Sequence, residues 1–520
     1  QYICRNERDL EFSRRAVTRL GFLLDSETCI GCHACTVACK SEHDVPLGVN
    51  RTWVKYIETG EFPETTRHFS VMRCNQCEDA PCMEICPTSA LFRASNGVVD
   101  FDDNSCIGCK GCMNACPYDA IYINPETNTA NKCNFCNHRI EVGLEPSCVV
   151  VCPTHSIKVI DFDDADNDAR RIVEREDLPV RSPEQGTVPK VFYRGANEAT
   201  LDPLLTAIPN DGLIWADVTP QHPTPPTREP DLVGRTTYTT AHATAWKTKV
   251  SGYLVTKAVA AGIMLLAALM VLLGEADQIT TVGFVPAVIA VFFVFVTGAL
   301  LVGDLKKPSR FLLVLTRGNW SSWLVRGAYI LGLYAFLLGG WLLAAWLESP
   351  QMLRILALPI AVVAASTAGY TAFLFAQCEG RDLWQSQLLL PTLLVQAVAA
   401  GGSGWFIADL FVDMPESQVV RGITIAALVA NGLLVVLEIS GDHSRHVAQA
   451  VHSMTQGDQR TLFLTGMVGG LVLPVILLAV SLIADSQASP LSCFAGVLIL
   501  GGMWAYEDSY VQAGQSVPLS

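Results

Sequence analysis

Between Cys29 and Cys152 the chain places sixteen cysteines in four complete quartets. "CIGCHACTVAC" holds Cys29, Cys32, Cys35 and Cys39, and "CNQCEDAPCMEIC" holds Cys74, Cys77, Cys82 and Cys86. "CIGCKGCMNAC" holds Cys106, Cys109, Cys112 and Cys116, and "CNFCNHRIEVGLEPSCVVVC" holds Cys133, Cys136, Cys148 and Cys152. Thiols at two-residue gaps point into one tight loop, a poor geometry for disulfides. Zinc suits an isolated CxxC pair. A C-x2-C-x2-C-x3-C-P run is more specific: three thiolates wrap one iron–sulfur cube and the fourth reaches a neighbouring cluster. Pro87, Pro117 and Pro153 follow three of the quartets; Lys40 holds that place in the first.

Applying the crossover rule twice, with nested spacing, pairs the first quartet with the fourth and the second with the third. Cys29, Cys32, Cys35 and Cys152 then hold one cluster, and Cys133, Cys136, Cys148 and Cys39 its mate. Cys74, Cys77, Cys82 and Cys116 hold a third; Cys106, Cys109, Cys112 and Cys86 hold the fourth. Four [4Fe–4S] clusters are expected, with no position marking a three-iron centre. Gly31, Gly108 and Gly111 let backbone approach the sulfides. With every iron thiolate-ligated, the domain reads as a wire rather than an active site. Cys4 belongs to no quartet.

"GFLLDSETCIGCHACTVACKSEHDVPLG", "RCNQCEDAPCMEICPTSAL" and "CIGCKGCMNACPYDAIYINP" resemble the four-cluster electron-transfer subunit of the dimethyl sulfoxide reductase superfamily, over roughly residues 20–195. The resemblance implies an α+β ferredoxin-like cluster domain and a molybdenum or tungsten bis-pterin cofactor. That cofactor belongs on a separate large catalytic partner subunit, not on this chain.

Half the residues are hydrophobic, 17% are charged, and the net charge is −14. No basic domain or aromatic-basic groove points to nucleic acid. The start carries Arg5, Arg8, Arg14 and Arg15 without the apolar stretch of a secretory signal. The expected organisation is a cluster domain at 1–160, an extended Pro-rich connection and docking segment at 161–245, and a membrane anchor at 246–520. The connection either forms a linker or packs in part on the cluster domain or a partner.

The second half predicts an all-α bundle of eight transmembrane helices, each near the twenty apolar residues that cross a bilayer. They run at about 253–274, 282–302, 323–345, 353–374, 388–408, 422–439, 462–483 and 491–506. Let the cluster domain define one side. That side carries Lys247, Lys249, Lys306, Lys307, Arg310, Arg317, Arg326, Arg381, Arg445 and Arg460, against Arg354 and Arg421 opposite. The positive-inside bias predicts a multi-pass protein of the bacterial inner membrane with its clusters in the cytoplasm. A higher oligomer is compatible with this organisation.

"GDLKKPSRFLLVLTRGNWSSWLVRGAYIL", "STAGYTAFLFAQCEGRDLWQS" and "WAYEDSYVQAGQSVPLS" resemble the NrfD-type, eight-helix quinone-reactive anchor of polysulfide reductase and its relatives, over about residues 245–520. The resemblance implies quinone or quinol bound near the electron-transfer domain, with Tyr370 matching a tyrosine that lines the pocket. Lys257, one turn inside the first span, either snorkels to the surface or serves that site. Asp304, after the second span, caps the loop or pairs with Arg310, and is a candidate to supply charge near the site. His242, Glu438 and His443, with Asp442 and His446 nearby, are further quinone or proton candidates. Histidines within spans are too sparse for a bis-histidine haem.

The chain is therefore expected to conduct electrons between a molybdopterin-type partner and the membrane quinone pool. It is non-catalytic toward the partner's substrate but carries the quinone-reactive site of an oxidoreductase complex. The cytoplasmic placement favours a quinone-reducing sulfite dehydrogenase. The alternative is the electron-transfer and anchor subunit of a respiratory sulfur-compound or oxyanion reductase oxidising quinol, or of another energy-converting complex.

Overall fold

A computed structural model of the chain describes residues 19–207, 232–415, 417–483 and 489–520. They divide into two compact units: residues up to Ala245 together with Cys378–Arg381 and Ser516–Ser520, and a second made of Trp246–Gln377 and Asp382–Gln515. Cys4 lies outside the described residues.

In the first unit, strand β1 (Leu20–Asp25) is the centre of a three-stranded sheet. It pairs antiparallel with β8 (Ile157–Asp161) and parallel with β9 (Val191–Arg194). All but the last residue of β1 are buried, the continuous apolar pattern of a strand covered on both faces. A second sheet has the order β10 (Thr206–Ala207), β11 (Gly234–Tyr238), β2 (Thr52–Thr59) and β3 (Thr66–Arg73). The ribbons β4–β5 (Leu91–Arg93, Val99–Phe101) and β6–β7 (Ile121–Ile123, Ala130–Lys132) complete the strands. The connecting segment thus supplies β9, β10 and β11 to the sheets of this unit. The C-terminal residues are tied into it as well: Arg381 Nη1 donates to the Val517 carbonyl at 3.0 Å and Arg181 Nη2 to that of Leu519 at 2.5 Å.

Among the described residues, the second unit is an all-α bundle with eight helices long and apolar enough to cross a membrane. They are Thr248–Leu273, Ile279–Asp304, Trp323–Trp346, Pro350–Ala376, Leu389–Ala408, Ser417–Ser440, Arg460–Ile483 and Pro490–Ser516. Each predicted span corresponds to one of them. Most of the helices reach further than the apolar runs, above all the eighth, which continues ten residues beyond Tyr506. The first and fifth spans are the most enclosed. A Cβ on Gly262 would meet the Ala397 carbonyl and Gly401, so these two backbones touch where both residues are small. Two buried side chains bond across helices: the Tyr334 hydroxyl donates to the Ala260 carbonyl at 2.5 Å, and Trp341 Nε1 to that of Gly283 at 2.9 Å.

Candidate functional site

Each cysteine quartet is built on one local plan. The residue before the second cysteine takes a left-handed backbone: Gly31 (φ 69°), Gln76 (48°), Gly108 (67°) and Phe135 (60°). Glycine does this without steric cost. Gln76 and Phe135 are held there by packing. Gln76 Nε2 donates to the Cys133 carbonyl at 3.1 Å and its Oε1 accepts from Val99 N at 2.8 Å; Phe135 stacks on Phe22 at 4.1 Å. The third cysteine then enters a short helix. Ala34–Glu42 contains Cys35 and Cys39; Gly111–Ala115 contains Cys112, with Cys116 directly after it. Pro81–Glu84 and Ser147–Val150 contain Cys82 and Cys148, with Cys86 and Cys152 two residues past their ends. A four-residue step is about one helical turn, so the third and fourth cysteines rise one above the other.

Tertiary folding gathers the sulfurs across quartets. Charges on Cys152 and Cys32 act on Cys29, and those on Cys133, Cys148 and Cys136 act on Cys39. Cys82 feels Cys74, Cys116 and Cys77; Cys112 feels Cys109, Cys106 and Cys86 most strongly among the thiols. Cys86, Cys106, Cys109 and Cys112 line one cavity with Leu91, Phe101 and Ile107. Burial pushes the Cys35 thiol up to about 11, against the pull of the Arg73 guanidinium. Burial likewise raises Cys109 and Cys133 to about 12. Thiols held neutral by burial deprotonate when metal replaces the proton.

These residues fit iron–sulfur clusters. The donors would be soft thiolates, the ligands such clusters take. Asn75 and Asn114, inside the second and third quartets, are buried with neither amide atom hydrogen-bonded to protein. Amide N–H groups facing sulfide are what such a cluster accepts.

In the bundle, the first and fourth spans bring Lys257 and Tyr370 together. Lys257 is 2% exposed. Its ammonium donates to the Ala368 carbonyl at 3.0 Å and to the Thr371 hydroxyl, and lies 4.6 Å from the centre of the Tyr370 ring. It turns into the bundle, so the snorkelling alternative does not describe it. Tyr370 is buried against Gly327 of the third span, where a Cβ would collide with its ring.

Two carboxylates escaped the sequence reading, which ended the eighth span at Tyr506. The continued helix buries Glu507 and Asp508. Asp508 accepts from Ser251 Oγ at 2.7 Å. Glu507 is hydrogen-bonded to Gln396 and coupled electrostatically to Lys257. The signal was the adjacent pair in "WAYEDSYV", since ionisable groups among apolar spans are expensive and functional.

Glu438 and His443 line an open cleft of about 390 Å³ with Asp382, Gln385, Ser386 and Asp442. Glu438 accepts from Ser386 Oγ at 2.5 Å, and a His443 ring nitrogen lies 3.3 Å from the Ile439 carbonyl. Tyr506 and Tyr510 stack at 6.2 Å, and both are coupled electrostatically to Glu438 and Glu507. Asp304 ends the second span. His242 belongs to the first unit, where it pairs with Asp119 at 3.0 Å and lies 4.9 Å from the Trp53 ring.

Two family descriptions match the chain: "4Fe-4S dicluster domain" over residues 65–162 and "Polysulphide reductase, NrfD" over residues 237–515. Among curated proteins, a tetrathionate reductase subunit of Salmonella typhimurium is 40% identical over 191 residues, 36% of this chain and 76% of that protein. The thiosulfate reductase electron transfer subunit PhsB of Salmonella typhi is 45% identical over 147 residues, 28% of this chain and 77% of that protein. A polysulfide reductase component of Wolinella succinogenes is 38% identical over 179 residues, 34% of this chain and 93% of that protein.

Proposed function

We propose, for a chain that belongs to the polysulphide reductase NrfD family, that it carries electrons through four [4Fe–4S] clusters between quinol at its membrane bundle and a separate molybdenum or tungsten bis-pterin subunit. What carries this reading is that cysteines of different quartets act on one another, Cys152 on Cys29 and Cys133 on Cys39, in the same chain as a buried Lys257–Tyr370 contact. We assign the sets as nested: Cys29, Cys32, Cys35 and Cys152; Cys39, Cys133, Cys136 and Cys148; Cys74, Cys77, Cys82 and Cys116; Cys86, Cys106, Cys109 and Cys112. Couplings of Cys35 with Cys148, Cys133 with Cys74 and Cys112 with Cys82 support a linear order in that sequence.

When bound, the clusters supply one-electron steps, whereas oxidising a quinol releases two electrons and two protons. The chain's own residues divide the remaining work. Tyr370 presents a hydroxyl to a ring oxygen, and Lys257 favours the anionic character that develops there as a proton leaves. Glu507 receives protons inside the bundle. Tyr506, Tyr510 and Glu438 lead toward the cleft that His443 lines.

The relatives' names favour a reductase. They include tetrathionate, thiosulfate, polysulfide and arsenate reductase subunits, so a sulfur-compound or oxyanion reductase drawing on quinol is preferred here to the sulfite dehydrogenase expected from the charge bias. That bias, ten basic residues against two, supports a cytoplasmic cluster domain in the inner membrane. The decisive experiment is purification with the co-purifying large subunit, followed by iron and sulfide analysis and a quinol-oxidation assay. Roughly sixteen irons per chain, and electron flow from quinol to the partner, are expected. About eight irons at full occupancy, or no quinol-dependent reduction of the iron signals, overturns the reading.

A further inference from the structure

Two basic residues directly precede cluster cysteines: Arg73 ends β3 before Cys74, and Lys132 ends β7 before Cys133. Both are completely buried. Arg73 Nη1 lies 3.4 Å from Cys148 Sγ, and the guanidinium stands 4.3 Å from the centre of the Phe22 ring. Its Nε and Nη2 have no hydrogen-bond partner among the described residues. No carboxylate there forms an ion pair with it; the negative groups acting on it are Cys148, Cys133 and Cys35. Lys132 donates to the carbonyls of Val99 and Cys133, the latter at 3.0 Å. It is coupled to Cys74, Cys82 and Cys133, and more weakly to Asp100. Asp100 itself accepts from Asn137 Nδ2 at 3.0 Å and Phe101 N at 2.8 Å.

A buried cation without a carboxylate partner is costly, and apolar residues of similar volume often stabilise an interior as well. Shape alone therefore does not account for either residue. The thiols are all of the counter-charge at Arg73 and the larger part at Lys132, where Asp100 adds to it, and they belong to different sets: Arg73 faces the first and second, Lys132 the second and third.

We propose that Arg73 and Lys132 are built-in charges that raise the reduction potentials of the first three clusters in the array, Arg73 acting on the first two and Lys132 on the second and third. Reducing a cluster adds one electron and no proton, so the reduced form is the more negative. Coulomb attraction to a fixed neighbouring cation grows on reduction, and between buried groups it is weakly screened by salt. The fourth set, Cys86, Cys106, Cys109 and Cys112, faces neither cation in this way and is not raised by them. The inference rests on the four-cluster reading above.

The test is potentiometric electron paramagnetic resonance on the purified complex carrying Arg73→Gln, Arg73→Lys, Lys132→Gln or Lys132→Arg, with iron content measured on every sample. At a fixed potential, Arg73→Gln is expected to lower the reduced-to-oxidised ratio of two clusters about tenfold, equivalent to about 59 mV for one electron. Arg73→Lys should retain most of the native value, and Lys132→Gln should affect a different, overlapping pair. Iron lost in the glutamine variants but kept in the charge-conserving ones also supports the proposal, because the charge is then required to assemble the clusters. Unchanged potentials at full iron content overturn it. So do equal shifts in the neutral and charge-conserving variants, or iron loss in all four. A wild-type iron content near eight overturns the cluster reading instead, so the two failures are distinguishable.

Discussion

Lys257 Nζ stands 4.6 Å from the centre of the Tyr370 ring while donating to the Ala368 carbonyl. A cation from the first span is thereby fixed on the face of an aromatic ring from the fourth, in a bundle interior where charge is expensive. The contact is a cation–π arrangement.

Tyr370→Phe keeps the ring over Lys257 and removes the hydroxyl. A hydrogen bond lost in an enclosed site costs about 0.5–1.5 kcal/mol, so quinone turnover should fall several-fold. Lys257→Met removes the charge and should cost more. Steady-state quinone kinetics beside an artificial-dye assay on the same complex will separate the site from the wire. Native rates in both assays for both variants would remove the pair from the site.

Gly327→Ala tests the same site by shape. Its Cβ would run into the Tyr370 ring, and the ring must turn to make room. Quinone turnover is expected to drop with iron content intact. Turnover at the native level would mean that Tyr370 has room to move.

Glu507→Gln removes the carboxylate coupled to Lys257 and leaves the neighbouring Asp508–Ser251 hydrogen bond in place. Quinol oxidation should slow, while dye-driven reduction of the clusters stays native. A solvent isotope effect on quinol oxidation that rises in the variant would mark proton transfer as the slowed step.

Cys39→Ser and Cys35→Ser distinguish nested assembly from assembly by quartet. Under nesting, Cys39→Ser perturbs the set of Cys133, Cys136 and Cys148, and Cys35→Ser that of Cys29, Cys32 and Cys152. The two variants should alter different cluster signals. The same signal lost in both would refute the nesting.

Lys55, on β2, is 2% exposed. Burial, with help from the Arg181 charge, holds its ammonium down to about 7. The unfolded chain takes up that proton below about 10.4. Between the two values the unfolded state binds more protons, so this residue makes stability rise with pH. Its penalty is greatest below pH 7 and is relieved as pH approaches 10. Lys55→Met should raise Tm at pH 7 and flatten Tm between pH 7 and 10. An unchanged slope in thermal unfolding scans would show that Lys55 does not titrate in that window.

The sequence by itself determined what depends on neighbours along the chain. Four cysteine quartets are visible because each ligand loop is local: a tight turn, then one helical turn. Eight spans are visible because crossing a bilayer needs an unbroken apolar run. The two-unit plan follows from those patterns. Tertiary structure decided where charge is buried. Glu507 and Asp508 lie just past Tyr506, where the apolar run stops, yet Gln396 and Ser251, over a hundred residues away, hydrogen-bond them inside the bundle. Lys257 offered two readings until Ala368 and Thr371 took its ammonium. Arg73 and Lys132 stand directly before cysteines in the sequence, and only folding sets them against thiols of other quartets. A charge's burial is fixed by partners brought from elsewhere in the sequence, and no local pattern of residues records them.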